Sequence, residues 1–333
     1  MITVLASGPL TTIQDLGRSG LLRSGIGRTG AMDRRALILG NLMLGNAQDA
    51  AGIEVALAPL AVRFETDTTF AITGGDCQAT LDGHLLPPWW AGLARRDQEL
   101  MMPPPRDAVF AYLTLGGGID VPPVLGARST DLRGRFGGCD GRPLAAGDRL
   151  RPLGADLASF PRLGFGVVPP PAFLPDAAED GAAADKTGAV LRLIPAAEYQ
   201  WLSPEARQAL EHTDRRVARE SNRVGYRLDG EELAMPGRQE IFSSGILPGV
   251  VQLPRSGQPV VQMSDANTCG GYPKIGVVIA PDLGRLAQIR AGQPIRFRVV
   301  TQAEALAATR AEQACLARLA RQISELRSKG VAP

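Results

Sequence analysis

Residues 264–276 gather many reactive side-chain types into one short stretch, Ser-Asp-Ala-Asn-Thr-Cys-Gly-Gly-Tyr-Pro-Lys-Ile-Gly. Asp265 offers a carboxylate for acid–base work or for orienting Mg²⁺, Tyr272 a phenol and Lys274 an ammonium. Asn267 and Thr268 add short polar donors and acceptors. Gly270 and Gly271 are expected to take positive φ and let the backbone approach a ligand closely. Pro273 stiffens the exit. Apolar runs at 258–263 and 277–280 read as short strands, so the polar cluster lies on a loop between strands. A plain hairpin connection would explain the glycines and the proline. It does not require Asp, Thr, Tyr and Lys together.

Lys274 adds weight. The chain holds 36 basic residues, of which only Lys186, Lys274 and Lys329 are lysines; the other 33 are arginines. A lysine gives a compact charge with a tunable pKa, which arginine does not. A surface lysine is the plain alternative.

A second stretch, residues 8–33, holds six glycines with Asp15, Arg18, Arg28 and Asp33 among them. Long glycine-rich loops in compact domains are functional or disordered, and the recurring charges favour function. No Gly-Lys-Ser/Thr follows at phosphate-loop spacing, and no strand-to-helix dinucleotide fingerprint occurs. Asp33 also reads as an N-cap for a helix over 34–44. Glu54 sits among apolar neighbours and needs a partner; a structural arginine is preferred over a ligand.

These loops need a frame. At 333 residues the chain is long enough for two domains, and 44% hydrophobic content supplies real cores. With 39 Gly and 26 Pro, it suits many short strands and turns. Strands are expected at 2–5, 69–73, 78–81, 100–102, 109–115 and 148–153. After a Pro/Ala/Asp-rich passage they resume at 190–194, 219–228, 241–244, 250–253, 259–263 and 294–300. Helices are expected at 34–44, 203–212, 281–288 and, as a long amphipathic segment, 301–329. This pattern is mainly β with a few helices, as in a barrel or sandwich. The expected organisation is an N-terminal β unit over 1–153, a linker over 154–188, a C-terminal β unit over 189–300 and a helical tail over 301–333. Residues 145–151 and 290–296, Ala-Ala-Gly-Asp-Arg-Leu-Arg and Arg-Ala-Gly-Gln-Pro-Ile-Arg, echo one another.

A net charge of +2 without a long basic run argues against a nucleic-acid surface. No run reaches the roughly 18 apolar residues of a membrane span, and the start lacks a signal-peptide pattern, so a soluble cytoplasmic protein without membrane partners is expected. Cys77, Cys139, Cys269 and Cys315 form no Cys-x-x-Cys pair, so no metal site is expected. Buried free thiols are the reading for all but Cys269.

Four motifs together resemble one family. They are residues 11–20 with 30–33; 116–120 with 125–130; 221–230; and 265–274. The combination is similar to the biotin-dependent carboxyltransferase family, also called the allophanate hydrolase subunit 2 family, over residues 3–300. The resemblance implies cyclophilin-like β-barrel units, two in this chain. The stand-alone bacterial members are C subunits of an ATP-dependent 5-oxoprolinase. The resemblance therefore implies a tight partner, the B subunit of that enzyme, with an A subunit to complete it, and hydrolysis of the lactam of 5-oxoproline to glutamate. ATP with Mg²⁺ is the implied cofactor within the complex.

On this reading Asp265, Lys274, Tyr272 and Asp15 are the catalytic candidates. Arg18, Asn222, Arg223, Arg227, Asn267, Thr268, Gly270, Gly271, Ser129 and Thr130 are the substrate-binding candidates. Cations would grip a carboxylate or steady a transferring phosphoryl group. Structural pairing with Asp15, Asp229 or Glu54 is the alternative for the arginines. Family members commonly read Gln-Thr-Thr-Gly-Gly-Tyr-Pro where this chain has Asn-Thr-Cys-Gly-Gly-Tyr-Pro at 267–273. A carboxyltransferase component of a urea-type, biotin-dependent carboxylase is the second reading. It lacks a Met-Lys-Met tripeptide, so biotin would arrive on another protein. A non-enzymatic regulatory partner-binding protein is the third.

Overall fold

A computed structural model of the chain describes residues 1–154, 160–161, 163–174, 188–237 and 241–329. The chain divides into two compact units. One comprises residues 1–18, 29–169 and 314–333; the other comprises 19–28 and 170–313.

The first unit is built on two six-stranded sheets. One runs Arg149–Leu150, Ile2–Ala6, Leu60–Phe64, Glu99–Met102, Thr80–Leu81, His84–Leu85. The other runs Phe165–Gly166, Trp90–Ala94, Thr68–Gly74, Phe110–Leu115, Gly52–Ala56, Thr12–Gln14. Val4, Val62, Phe64 and Leu100 from the first sheet meet Ile53, Phe70, Ile72 and Leu113 from the second in one core. Each fully buried large apolar side chain contributes about 1.5–3 kcal/mol, so this core fixes the frame that carries the loops. Helix α1 (Arg34–Leu44) lies against the second sheet, where a Cβ at Gly40 would stand 2.9 Å from Thr114 Oγ1. Asp33 caps it as expected, accepting from the Ala36 amide.

Of the 154–188 passage, residues 155–159, 162 and 175–187 lie outside the described residues. Within the described part, Phe165–Gly166 pairs with Trp90–Ala94, and Phe160 and Phe173 are buried.

The second unit holds a closed barrel. Its strands run Ala189–Pro195, Lys274–Val278, Val250–Gln252, Val260–Gln262, Gly225–Asp229, Arg215–Val217 and Pro294–Val299, the last pairing in parallel with the first. Leu191, Leu193, Val251, Val261, Ile275 and Phe297 are completely or almost completely buried in it. Helices α2 (Pro204–His212) and α3 (Ala280–Gln288) belong to this unit. The fully buried Asp282 of α3 accepts a fork from Arg192, at 2.6 and 3.0 Å. Helix α4 spans Gln302–Lys329.

The chain is thus mainly β with a closed seven-stranded barrel and a C-terminal helix, as the sequence pattern and the resemblance led us to expect. Four strand expectations need correction. The strands expected at 78–81 and 148–153 shrink to Thr80–Leu81 and Arg149–Leu150. The 219–228 strand begins only at Gly225, because the Asn222 side chain accepts from the Val224 amide and turns the chain first. The 241–244 strand is the two-residue Ser244–Gly245, and residues 238–240 lie outside the described residues. Cys77 is buried, but Cys139 and Cys315 are partly exposed rather than buried.

Candidate functional site

The 264–276 loop is held by the strands on either side of it. Val250–Gln252 pairs with both Val260–Gln262 and Lys274–Val278. Period-2 alternation puts Val251 and Val261 on one face and Gln252 and Gln262 on the other. A bulge between Val251 and Gln252 shifts the register, so Lys274 stands directly opposite Gln252. Over this second face the chain folds back as a two-stranded clip, Ser244–Gly245 against Cys269–Gly270. Ile246, Val250 and Ala266 pack together beneath the clip.

Lys274 Nζ donates to Ser244 Oγ at 2.6 Å and to the Gly270 carbonyl at 3.4 Å. Among the described residues no carboxylate lies within 4.0 Å of it. Its backbone amide donates to Glu198 Oε2 at 3.3 Å. Tyr272 is 45% exposed and Phe242, on the facing loop, 95%. The site rim is therefore aromatic and open.

The two glycines do not serve by positive φ. Neither Gly270 nor Gly271 takes positive φ. Space is what demands them. A Cβ at Gly270 would stand 2.7 Å from Ile246 Cδ1 and 2.8 Å from Gln252 Nε2, and one at Gly271 would stand 2.8 Å from the Ile241 carbonyl.

Asp265 is not an open base. Arg223 grips it in a fork, Nε to Oδ2 at 2.8 Å and Nη2 to Oδ1 at 2.9 Å, with side chains only 7% and 9% exposed. The Asp265 amide also donates to the Arg223 carbonyl at 2.9 Å. The pair clasps the start of the loop to the 221–225 turn. Asn222 and Arg227 are exposed, and the Arg227 amide donates to Ser221 Oγ at 3.0 Å. Asn267 is exposed; the Thr268 carbonyl accepts from the Ile246 amide at 3.0 Å.

Asp15, Arg18, Ser129 and Thr130 come together in the first unit, all four buried. Asp15 accepts from the Gly17 amide at 2.8 Å, and also from Ser129 Oγ and the Arg128 amide. Arg18 is 2% exposed. It donates to Thr29 Oγ1 at 2.6 Å, the Ser129 carbonyl at 2.8 Å and the Val124 carbonyl at 3.1 Å, and its guanidinium lies 4.6 Å from the Phe136 ring centre. Thr130 Oγ1 donates to the Ile13 carbonyl at 2.9 Å. A Cβ at Gly137 (φ 72°) would fall 2.3 Å from the Ser129 carbonyl and 2.6 Å from Arg18 Nη2. The absence of a side chain at Gly137 thereby lets its loop close on this buried arginine.

Nearby, Glu54 Oε2 accepts from the Met32 amide at 2.7 Å and from Tyr112 Oη at 2.8 Å, so an amide and a phenol are among the partners of this buried carboxylate. Burial, with Glu54 and Asp33 beside it, raises the Tyr112 phenol well above its usual value and keeps it a donor.

Three residues at the barrel site carried no sequence signal of their own. Gln252 and Gln262 are 6% and 4% exposed, and Gln262 Nε2 donates to Gln252 Oε1 at 3.0 Å. Gln252 Nε2 and Gln262 Oε1 have no hydrogen-bond partner among the described residues. Ser244 meets Lys274 across 30 residues of sequence. Two polar residues at the ends of apolar strands were the only available hint for the glutamines.

The carboxyltransferase domain family, subdomain A and B, matches residues 24–299. The chain is 40% identical to the 5-oxoprolinase C subunit of Escherichia coli, over 96% of this chain and 98% of that protein. It is 38% identical to the Haemophilus influenzae protein of the same name, over 98% and 99%. It is also 30% identical to urea amidolyase of Saccharomyces cerevisiae, over 89% of this chain but 16% of that protein. Among solved structures, the K. lactis urea amidolyase superposes with a TM-score of 0.85 at 25% identity, over 96% of this chain and 20% of that one. TTHA0988 superposes with a TM-score of 0.76 at 33% identity, over 89% of this chain and 56% of that one.

Proposed function

We propose that this chain, which belongs to the carboxyltransferase domain family, acts as the C subunit of an ATP-dependent 5-oxoprolinase. In this reading it works in the cytoplasm with the A and B subunits, and 5-oxoproline is opened to glutamate. The observation that carries the reading is the end-to-end match to two proteins with that name, against a match to 16% of urea amidolyase.

The residues support a division of labour. Lys274 brings a cationic group to the clip and is paired to a hydroxyl and a carbonyl rather than an acid. That charge is free to meet the carboxylate or the developing oxyanion of an anionic lactam. Tyr272 and the exposed Asn267 lie on the same loop, and Arg227 is exposed on the strand Gly225–Asp229. Gly270 and Gly271 bring backbone close, and Thr268 anchors the clip. Asp265 with Arg223, and Asp15 with Arg18, Ser129 and Thr130, serve by fixing loop shape. Asn222 shapes the turn ahead of them.

ATP with Mg²⁺ does not fit the helix N-termini of this chain. Each of the four α-helices among the described residues carries an acid at its cap or in its first turn, namely Asp33, Glu205, Asp282 and Glu304. An acid there repels the phosphates that a helix dipole would otherwise attract. Among the described residues no group of three or more His, Cys, Asp or Glu is placed to hold a metal ion. In this reading ATP with Mg²⁺ is used within the complex with the partner proteins. Among the described residues no helix is long and apolar enough to cross a membrane.

The test is reconstitution. The chain is mixed with its cognate A and B subunits, and glutamate release and ATP hydrolysis are followed with 5-oxoproline or urea. Turnover of 5-oxoproline by the three together, and little by this chain alone, is expected. Urea-dependent turnover with a biotinylated partner would favour the carboxyltransferase reading, which the 0.85 TM-score with urea amidolyase keeps in view. Partner binding without turnover of either would favour the regulatory one.

A further inference from the structure

The Gln252–Gln262 pair is an anomaly in a well-packed barrel. Both amides are more than nine-tenths buried, yet only one hydrogen bond joins them. That leaves one donor, Gln252 Nε2, and one acceptor, Gln262 Oε1, unpaired on two amides that are bonded to each other. Buried polar atoms are nearly always paired, and unpaired ones carry a cost that an apolar pair would not. Two glycines bracket the amides. A Cβ at Gly270 would stand 2.8 Å from Gln252 Nε2, and one at Gly225 would stand 3.8 Å from Gln262 Nε2. Neither glycine takes positive φ, so backbone conformation does not require them. Lys274 flanks the same Gly270 through its carbonyl and stands opposite Gln252 in the register.

An open donor and an open acceptor on such a bonded pair are the complement of one particular group: an amide whose carbonyl and N–H lie on the same edge. An ordinary secondary amide is trans and presents them on opposite edges. A small lactam ring locks them on the same edge. We infer that Gln252 and Gln262 are the specificity-determining pair of this site and read the cis amide edge of a lactam. Gln252 Nε2 donates to the ring carbonyl oxygen, and Gln262 Oε1 accepts from the ring N–H. Lys274 stands at the oxygen end. Gly270 lets the clip close directly over the amides, so the substrate enters as the short clip lifts. Urea also carries a carbonyl and an N–H on one edge, so the pair explains how one frame could serve both chemistries. The assignment of the lactam rests on the function proposed above.

The experiment uses the complex of this chain with its A and B subunits. In Gln252→Met/Gln262→Met both open atoms are gone and neither amide is orphaned, so folding is retained. Loss of two hydrogen bonds to substrate should raise KM for 5-oxoproline about 30-fold, with kcat changed less and the melting temperature unchanged or higher. A purely structural role would lower the melting temperature and leave KM in place. KM within twofold of wild type in the folded double variant overturns the inference.

A second arm needs no variant. N-methyl-5-oxoproline lacks the ring N–H and should compete about tenfold less well than 5-oxoproline for the wild-type complex. In Gln262→Met the two should compete equally. Equal competition in the wild type overturns the inference. Should the wild-type complex turn over urea and not 5-oxoproline, the proposed function fails while the pair is still tested. The same double variant must then raise KM for urea, and an unchanged KM rejects the pair on its own account.

Discussion

Replacing Asp265 by alanine separates a clasp from a catalytic base. The structure gives Asp265 two charge-assisted bonds from one guanidinium, at 2.8 and 2.9 Å, in a site where both side chains are less than a tenth exposed. Removing one member of a buried ion pair costs about 3–5 kcal/mol, because the other charge is left desolvated. For a unit of roughly 150–250 residues, each kcal/mol moves the melting temperature by about 2–4 °C. Asp265→Ala should therefore lower melting by about 6–20 °C. Arg223→Met should do the same. The double variant Arg223→Met/Asp265→Ala removes both charges and leaves neither desolvated alone, so it should be more stable than either single variant. Thermal and urea unfolding, followed by circular dichroism, give the full double-mutant cycle. The expected coupling is about 2 kcal/mol or more. Two single effects that simply add would refute the clasp. So would an Asp265→Ala protein with wild-type melting and no activity in the complex, which would return Asp265 to the reacting groups.

Lys274→Ala should cut turnover by the complex by about 100-fold or more if its charge acts in the transition state, with melting nearly unchanged; loss of folding would mark it as structural. Tyr112→Phe removes a donor to the buried Glu54 carboxylate and should cost about 1.5–3 kcal/mol in urea unfolding. Burial pushes the Cys77 thiol up to about 11, whereas Cys269 is exposed, so maleimide at neutral pH should label Cys269 first and Cys77 only on unfolding. The Arg142 fork, at 2.7 and 2.8 Å, holds the Asp148 carboxyl below its ordinary 3.8. Its stabilisation is thus complete above about pH 3.8 and lost as pH falls through the lower folded value. Asp148→Asn should be less stable than wild type at pH 7, and the gap should close in strong acid.

Much of the fold was legible because it is written in local rules. The Asp33 and Ser203 caps place α1 and α2 where the sequence puts them. The echo between 145–151 and 290–296 is a shared turn. In each, the residue at the fourth-from-last position sends its amide to the first residue's carbonyl, Asp148 to Ala145 and Gln293 to Arg290, both at 3.1 Å. In each, the same side chain accepts back from the first residue's amide, at 2.8 and 3.1 Å. The central glycine then donates to a neighbouring strand, Gly147 to Val4 and Gly292 to Val217. The site was less legible because long-range geometry decides it. A bulge sets which residue opposes Lys274, and no local pattern announces a bulge between Val251 and Gln252. Gly270 and Gly271 look like turn residues, yet their reason is Ile246, Gln252 and Ile241, between 18 and 30 residues away. Asp15 and Arg18 look reactive in sequence because the partners that occupy them, Ser129 and Val124, lie more than 100 residues on.

The arginine bias of the chain has a physical reading in the structure. Arginine is the residue of flat forks, and here it makes them repeatedly: Arg63 with Glu99, Arg142 with Asp148, Arg192 with Asp282, Arg223 with Asp265 and Arg296 with Asp214. Each uses two guanidinium nitrogens on one carboxyl group. A planar fork loses little freedom when it pairs, and it keeps its charge at any working pH. Such pairs hold loops and strands but have few donors left for a substrate. A lysine cannot form the fork; its point charge settles on whatever oxygen is offered. At position 274 that is a hydroxyl and a carbonyl, both neutral, which a ligand anion can displace without breaking an ion pair. Arg18 carries the argument to its limit, since at 2% exposure it holds two carbonyls, a threonine and a phenyl face in place. A Lys274→Arg variant would keep the charge but carry a longer planar head into a clip closed by Gly270. It should fold, and it should lose activity in the complex nearly as far as Lys274→Ala does. Full activity in Lys274→Arg would show that only the sign of the charge matters there.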